Sequence, residues 1–200
     1  MALCTAAEVR EYAGSGAAAD DTLIDSIIAR VDASFARYCR YPRSDAGAYT
    51  MEDTTYTVFP RADEAQDSEH PERLLLSTGP IVSVTSVHVD PERDYGASTE
   101  VGSGDYDIEA TAAAIVLRDD ATEAWSTATR ANKVVVVAGW ATVPDDLAEA
   151  AIIQASHIFK NRQSAGARTR TTGQNSRTTD RLSLLDEVKE RLSPYILLSA

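Results

Sequence analysis

Residues that usually carry chemistry are scarce in this chain. Its 200 residues include two cysteines, Cys4 and Cys39, and three histidines, His70, His88 and His157. The cysteines form no CxxC pair and are too few for a metal cluster, which excludes a disulfide framework and favours assembly in a reducing, intracellular environment. No histidine has a second ligand at the spacing of a metal-binding motif. We therefore expect no metal and no cofactor, and we expect the histidines at surfaces or interfaces.

Short motifs that accompany catalysis are also lacking. There is no GxSxG nucleophile motif. Gly14–Gly16 and Gly102–Asp105 lack both the downstream lysine of a phosphate-binding loop and the spacing of a dinucleotide site. The acid pairs Asp119–Asp120 and Asp145–Asp146 match the caps of turns and helices. We predict that the chain is not an enzyme, and a hydrolase that uses His157 and nearby acids is the weakest alternative.

Long hydrophobic segments are absent as well. The longest nearly apolar run, Val134 to Val143, is about half the ~20 residues that a membrane-spanning helix needs. The amino-terminal sequence MALCTAAEV does not show the basic and then apolar pattern of a signal peptide. We expect a protein that neither crosses a membrane nor is secreted. With 44% hydrophobic and 25% charged residues, the composition is that of a folded domain.

Positive charge is in deficit. The chain has 19 Lys and Arg against 31 Asp and Glu, a formal net charge of −12, which argues against a protein whose main task is to grip nucleic-acid backbone. Residues 163–179 are the exception, being basic and rich in Ser and Thr, with Arg168, Arg170 and Arg177 as candidate contact residues. Such composition is typical of a mobile, solvated loop. The alternative is a contact with an acidic neighbour or with DNA, and the sequence leaves this choice open.

Two helices are predicted within residues 1–42. Thr5 and Glu8 have the spacing of a capping box, so a short helix begins there and ends near Gly14. A second helix runs from about Asp20 to Arg40 and is stopped by Tyr41-Pro42. Helical spacing places its apolar residues on one side: Leu23, Ile24, Ile27, Ile28, Val31, Phe35, Tyr38 and Cys39.

Between residues 49 and 140 the hydrophobic period changes to two, which predicts a small antiparallel β-domain inserted between helical parts. The predicted strands are Thr54–Phe59, Leu74–Ser77, Ile81–Val89, Tyr106–Ile108, Ala114–Leu117 and Lys133–Ala138. The second and third strands are expected to form a hairpin around Gly79-Pro80. The valines of the third strand change parity, so a bulge is expected near Thr85-Ser86.

Residues 143–192 are predicted to be helical again. One helix begins with Pro144 as its first residue, followed by two acids that suit the positive end of the helix dipole. Ile153 falls among the polar residues of this helix, and it is either a harmless exposed side chain or a contact with a neighbouring subunit. A last helix runs from about Asp180 to Leu192, and Pro194 ends it. The apolar tail 193–200 then packs on its own domain or docks into another protein.

The order of these parts resembles one known family. MALCTAAEVREYAG and a helix ending in RVDASFARYCRYP come first, and RLLLSTGPIVSVTSVHVD, GDYDIEA and VVVVAGWATVPDDLAEAAIIQASHIFKNR follow. Together they resemble the head–tail connector (adaptor) proteins of long-tailed phages and gene-transfer particles. The expected fold is α+β: a helical bundle body, an inserted small antiparallel β-domain and an extended C-terminal tail. Extra length at 63–71, at 90–104 and in the basic loop departs from the family pattern.

The resemblance implies a structural virion protein of the neck, made in the host cytoplasm. It implies a homo-oligomeric ring, dodecameric, that lies under the portal protein, offers a platform to a stopper or tail-completion protein and lets DNA pass without sequence-specific binding. Family members commonly dock their C-terminal segment onto the portal, which corresponds here to 193–200 with these anchors: Tyr195, Ile196, Leu197 and Leu198. The alternatives are a tail-completion or tail-terminator ring protein and, from another class, a nucleic-acid-binding module.

Overall fold

The chain divides into two compact units, here called the helical unit and the β-unit. The structure is a computed structural model that describes residues 2–14, 20–61, 73–162, 169–172, 175–178 and 183–197. The helical unit comprises Met1–Phe35 and Val143–Tyr195, and the β-unit comprises Ala36–Thr142 and Ile196–Ala200. Helices and antiparallel sheets are both present, so the expected α+β class is confirmed.

The two amino-terminal helices begin where the sequence patterns place them. Helix α1 spans Ala6–Ala13. The Glu8 N–H donates to Thr5 Oγ1 at 3.3 Å, and the Thr5 N–H donates to Glu8 Oε2 at 2.7 Å, so the predicted capping box is confirmed. Gly14 ends the helix in the left-handed conformation, with φ 71°. Helix α2 spans Asp21–Tyr38, and it buries one apolar side: Ile24, Ile27, Ile28, Val31 and Phe35.

Helix α3 spans Asp145–Asn161 and packs against α1 on one side. Pro144 was predicted to be the first residue of this helix, but it is the N-cap. The helix therefore begins at Asp145, one residue later than predicted. Ser156 Oγ donates to the Val9 carbonyl of α1 at 3.2 Å. Half of the eight side chains buried along α3 are small, which lets neighbouring helices approach closely at those positions: Ala150, Ala151, Ala155 and Ser156.

Helix α4 spans Asp186–Leu192 and packs against another side of α3. The helix was predicted to begin near Asp180, but residues 183–185 are not helical. A buried side chain of α3 binds the backbone of these residues instead. Gln154 Nε2 donates to the Ser183 carbonyl at 3.2 Å, and the Leu185 N–H donates to Gln154 Oε1 at 3.0 Å. In the described part of the chain, no helix combines the length and the apolar character needed to cross a bilayer.

Six strands of the β-unit form two antiparallel sheets of three strands each. In chain order they are β1 (Thr54–Val58), β2 (Arg73–Leu75), β3 (Ile81–Val89), β4 (Tyr106–Glu109), β5 (Ala114–Leu117) and β6 (Asn132–Ala138). The first sheet has the order β1-β6-β3, and the second has the order β2-β5-β4. Every strand therefore lies within about two residues of its predicted position, but the pairing differs from the prediction.

The predicted hairpin of β2 and β3 is wrong, because the two strands belong to different sheets. The Leu76 N–H donates to the Ala113 carbonyl at 2.9 Å, which prolongs the β2–β5 pairing. Ser77 then adopts φ 51°, and the chain turns away before β3 pairs with β6. The predicted bulge is confirmed, since the β3–β6 register shifts between Val84 and Ser86.

One apolar core holds the β-unit together. Both sheets contribute to it, and burial alternates along β6, as expected for a strand with one face towards a core. Its buried members are Tyr56, Leu74, Leu76, Ile81, Val87, Val101, Tyr106, Ala113, Ile115, Leu117, Trp125, Val134, Val136 and Ala138.

Candidate assembly surfaces

Side chains with reactive chemistry are dispersed through the described residues. Burial raises the pKa of both thiols, Cys4 and Cys39, to about 12, so each is protonated and a poor nucleophile at neutral pH. His88 is buried in β3 and His157 is half-buried on α3, whereas His70 lies outside the described residues. In the described ranges, no three His, Cys, Asp or Glu side chains are grouped as metal ligands.

The Gly-Trp turn after β6 is held by close contacts within the β-unit. Gly139 has φ 126°, and a Cβ at this position would lie 2.3 Å from the Glu52 carbonyl oxygen, so only glycine fits. Trp140 Nε1 donates to the Tyr41 hydroxyl oxygen at 3.0 Å, and the Trp140 N–H donates to the Met51 carbonyl at 2.9 Å. Burial raises the pKa of Tyr41 to about 12. This segment is therefore a scaffold whose side chains are engaged in packing.

Residues of the carboxyl-terminal segment form hydrogen bonds within the unit to which each of them belongs. Ser193–Tyr195 forms a single 3₁₀ turn, so the predicted extended tail is wrong for these residues. The Tyr195 hydroxyl donates to the Asp146 carboxylate within the helical unit. The Leu197 N–H donates to the Cys39 carbonyl at 2.9 Å within the β-unit. Of the predicted docking residues, three are half-buried and one lies outside the described residues: Tyr195, Ile196 and Leu197, and then Leu198.

Ile153 is buried, and the prediction that it lies on an exposed face is wrong. Only 7% of it is exposed. Glu149 lies one helical turn before it on the same side of α3, and its carboxylate accepts a hydrogen bond from Arg191 of α4 at 2.5 Å. Helix α4 therefore lies against the side of α3 that carries Glu149. The polar residues on that side had suggested that it faces solvent. A side chain buried in this way offers no surface to a neighbouring subunit.

Part of the predicted basic loop is a β-hairpin. Strands β7 (Thr169–Thr172) and β8 (Asn175–Thr178) pair in antiparallel fashion, which corrects the prediction of an irregular loop throughout 163–179. Threonine is β-branched and favours strands, and two residues are the commonest hairpin separation. Arg170 and Arg177 are register partners in this hairpin, whereas Arg168 lies outside the described residues. Two of the three candidate contact residues are thus brought to the same level of one hairpin.

An aromatic and cationic cluster on the β1-β6-β3 sheet was not predicted. The ring centroid of Tyr95 lies 5.9 Å from that of Phe59 and 6.3 Å from that of His88. The guanidinium carbon of Arg130 lies 3.9 Å from the Phe59 centroid, and Lys133 Nζ lies 4.8 Å from the Tyr95 centroid. These five residues are called the aromatic–cation surface below.

Strand register and one loop assemble this surface. His88 and Lys133 are cross-strand partners of β3 and β6. The Tyr95 N–H donates to the buried Asp90 carboxylate at 2.7 Å, which shapes the loop after β3 and lowers the pKa of Asp90. The Tyr95 hydroxyl in turn donates to the Arg130 carbonyl. Neighbouring residues of a strand face opposite sides of the sheet, so Lys133 lies on the face away from the core, to which Val134 points. Only the strand pairing shows which other residues lie beside Lys133 on that face.

A few large apolar side chains are exposed in each unit. They are Tyr12 and Leu23 in the helical unit and Val82 and Ile108 in the β-unit. Leu23 was placed on the apolar side of α2, yet 39% of it is exposed. Helical spacing therefore overestimated the width of the side that α2 buries.

The comparisons with known proteins concern the fold. Neither protein-family models nor curated protein sequences give a match. Among solved structures, the chain is similar to one from the neck of an empty GTA (gene-transfer agent) particle computed with C6 symmetry, with 15% identity, a TM-score of 0.57, and coverage of 98% of this chain and 90% of that chain. A chain from the neck of the native GTA particle, computed with C12 symmetry, aligns with 15% identity and a TM-score of 0.49. The alignment covers 97% of this chain and 88% of that chain. The first likeness shows that a fold is shared over nearly the whole chain.

Proposed function

We propose that this chain is a structural protein of a virion neck, a head–tail connector (adaptor) that joins the capsid vertex to the tail. The observation that carries the proposal is the fold shared with a neck chain of a GTA particle over 98% of this chain and 90% of the other. Because the alignment covers nearly all of both chains, the two proteins share a whole architecture rather than one motif. The order of sequence segments, from MALCTAAEV to HIFKNR, supports the same family independently of the fold.

The proposed assembly is a homo-oligomeric ring. The similar particle neck was computed with C6 symmetry, and rotational symmetry of this kind describes rings of identical subunits. For this chain we propose a dodecamer that contacts the portal protein on one side and a stopper or tail-completion protein on the other. DNA passes through the ring without sequence-specific contacts, because a net charge of −12 repeated in every copy repels phosphate. The proposal includes no catalytic step and no cofactor.

The carboxyl-terminal segment is the proposed portal contact. Tyr195, Ile196, Leu197 and Leu198 are aromatic or aliphatic, which is the chemistry of interface anchors. The hydrogen bonds from the Tyr195 hydroxyl and the Leu197 N–H are among the contacts that hold the described part of this segment in place. Breaking them costs about 2 kcal/mol in total, an amount that one well-buried anchor can offset. Release from the chain and docking onto a portal are therefore compatible.

Particles produced with a chain that lacks Ser193–Ala200 test this role. We expect heads that contain portal but lack this chain and lack tails, while the purified truncated chain keeps the circular dichroism of the folded protein and unfolds at a lower midpoint, because about 2 kcal/mol of hydrogen bonding is lost. A control chain that lacks only Ser199–Ala200 retains all four anchors and should dock as the full chain does. Full occupancy of the truncated chain at the portal vertex would contradict the docking assignment. Absence of the unaltered chain from particle necks would contradict the proposed function itself.

A further inference from the structure

The aromatic–cation surface has the composition of a protein interface. Tyr and Arg are enriched at the centres of interfaces, where they contribute most of the binding energy. Here the Phe59 ring supports Arg130 and the Tyr95 ring supports Lys133, at 3.9 and 4.8 Å. A guanidinium stacked on a ring still directs its N–H groups outward in its own plane. Because the rings already order these side chains, less conformational freedom is lost when a partner binds.

Arg130 and Lys133 form no ion pair with a carboxylate of the described residues. Other cations of the β-unit do, since Arg118 lies 2.7 Å from Asp107 and Arg73 lies 2.6 Å from Glu109. The nearby Asp90 carboxylate is buried and accepts backbone N–H groups. The surface thus presents two positive charges, in a chain that has 31 acids and 19 bases. Two cations are too few to hold a polyanion against that surplus of acid, which favours a protein carboxylate as the partner.

The connection between β5 and β6 carries Arg130 near its end and begins with an acidic stretch, residues 119–123, which is here called the acidic loop. Asp119, Asp120 and Glu123 are exposed, and within the described ranges their side chains form no ion pair or hydrogen bond. We propose that the aromatic–cation surface of one copy binds this acidic loop of the next copy. Because the two patches differ, the contact is heterologous, and a heterologous contact closes into a ring when the rotation between copies allows it. The inference rests on the ring of the proposed function and names the surfaces that form it.

Self-association of the full chain tests the inference. Sedimentation velocity over a range of concentrations should show oligomers of the unaltered chain, and Arg130→Glu should weaken their formation by about tenfold or more, because it places like charges together. The matched control is Arg37→Glu, which reverses the charge of another cation that is stacked on a tyrosine of the β-unit, 4.8 Å from the Tyr49 centroid. We expect the control to associate as the unaltered chain does. Circular dichroism verifies that both variants are folded.

A charge exchange makes the test specific for the acidic loop. Asp120→Arg should weaken association by itself, and the double variant Arg130→Glu with Asp120→Arg should restore it. Failure of the double variant to associate would overturn the assignment of the loop as the partner. Unchanged association of Arg130→Glu, or an unaltered chain that stays monomeric, would overturn the inference and leave a portal-nucleated ring standing. Duplex-DNA binding that is lost in Arg130→Glu would identify nucleic acid as the partner and overturn it too.

The inference and the proposed function can fail separately. If the chain is found in particle necks but Arg130→Glu associates normally, only the inference fails. If association depends on Arg130 and Asp120 but the chain is absent from necks, the contact is real and the proposed function is wrong.

Discussion

The helical unit and the β-unit both bury large apolar side chains, but they differ in the local contacts that should be most sensitive to change. In the β-unit, side chains such as Tyr56, Ile115 and Val134 from both sheets meet in one apolar core, whose stabilisation is non-directional. In the helical unit, large apolar side chains such as Ile27, Phe35 and Leu147 are buried too, and α3 adds two buried polar side chains, Gln154 and Ser156, that bond to other segments. The sensitive points of the β-unit should therefore be its tight turns, and those of the helical unit its buried hydrogen bonds.

Each unit can be observed separately in the intact chain. Both tryptophans, Trp125 and Trp140, belong to the β-unit, so their fluorescence reports on that unit. Most of the helix belongs to the helical unit and dominates the far-ultraviolet circular dichroism. One cysteine lies in each unit, Cys4 in the helical unit and Cys39 in the β-unit.

The largest expected effect is at the tight turn of the β-unit. Gly139→Ala should lower the free energy of unfolding by about 3–5 kcal/mol, because the new Cβ meets the Glu52 carbonyl at a φ that side chains rarely adopt. Urea unfolding followed by tryptophan fluorescence measures the loss. The control is Gly14→Ala in the helical unit, followed by circular dichroism; its φ is also positive but no atom lies within 4 Å of an added Cβ, so we expect a loss of about 1 kcal/mol. Equal losses would show that backbone strain, rather than the contact, decides the effect.

A smaller effect is expected from the buried hydrogen bonds of the helical unit. Gln154→Leu should cost about 1–3 kcal/mol, because the Leu185 N–H and the Ser183 carbonyl lose their side-chain partner. Circular dichroism should detect the change at lower urea than tryptophan fluorescence does. Ser156→Ala removes one bond to the Val9 carbonyl and should cost about 1 kcal/mol. A neutral or stabilising Gln154→Leu would mean that apolar burial at this position outweighs the lost hydrogen bonds, and the contrast between the units would fail.

The smallest expected difference between the units is in the reaction rates of their two thiols, which report on local opening. Both have a pKa of about 12 against an ordinary 9.0, so at pH 8 each has roughly a thousandfold less thiolate than an exposed cysteine and should react slowly with a thiol reagent. The variants Cys39→Ser and Cys4→Ser isolate the two thiols. We expect Cys4 to react faster, because it lies near the amino terminus, where local opening is easiest. Faster labelling of Cys39 would reverse the expected order of local stability.

Local patterns predicted most elements of this fold. The Thr5–Glu8 capping box, Gly14, the apolar side of α2 and the bulge near Ser86 all depend on neighbours in sequence, and all are present in the structure. Caps and hydrophobic periods act over one or two turns of helix or a few residues of strand. This range is short enough to be recognised in a single chain.

Predictions that depended on distant partners were less successful. The pairing of β2 with β5 and of β3 with β6 could not be recognised, because in each pair two other strands lie between the partners along the chain. Ile153 was misplaced because α4, whose Arg191 bonds to Glu149 on the same side of α3, follows the basic segment. The aromatic–cation surface draws Phe59, Tyr95 and Arg130 from three distant segments, and no local pattern joins them.

The class of the fold, the order of its elements, the acidic charge and the resemblance to connector proteins could all be recognised in the amino-acid sequence. These follow from composition, hydrophobic period and caps, which are properties of short segments. Which sides are covered became visible only in the folded chain: Ile153 is buried, six strands of the β-unit form two sheets, and Arg130 and Lys133 lie on aromatic rings. The physical reason is that burial and register depend on which distant segments pack together, and short-range patterns do not specify that choice.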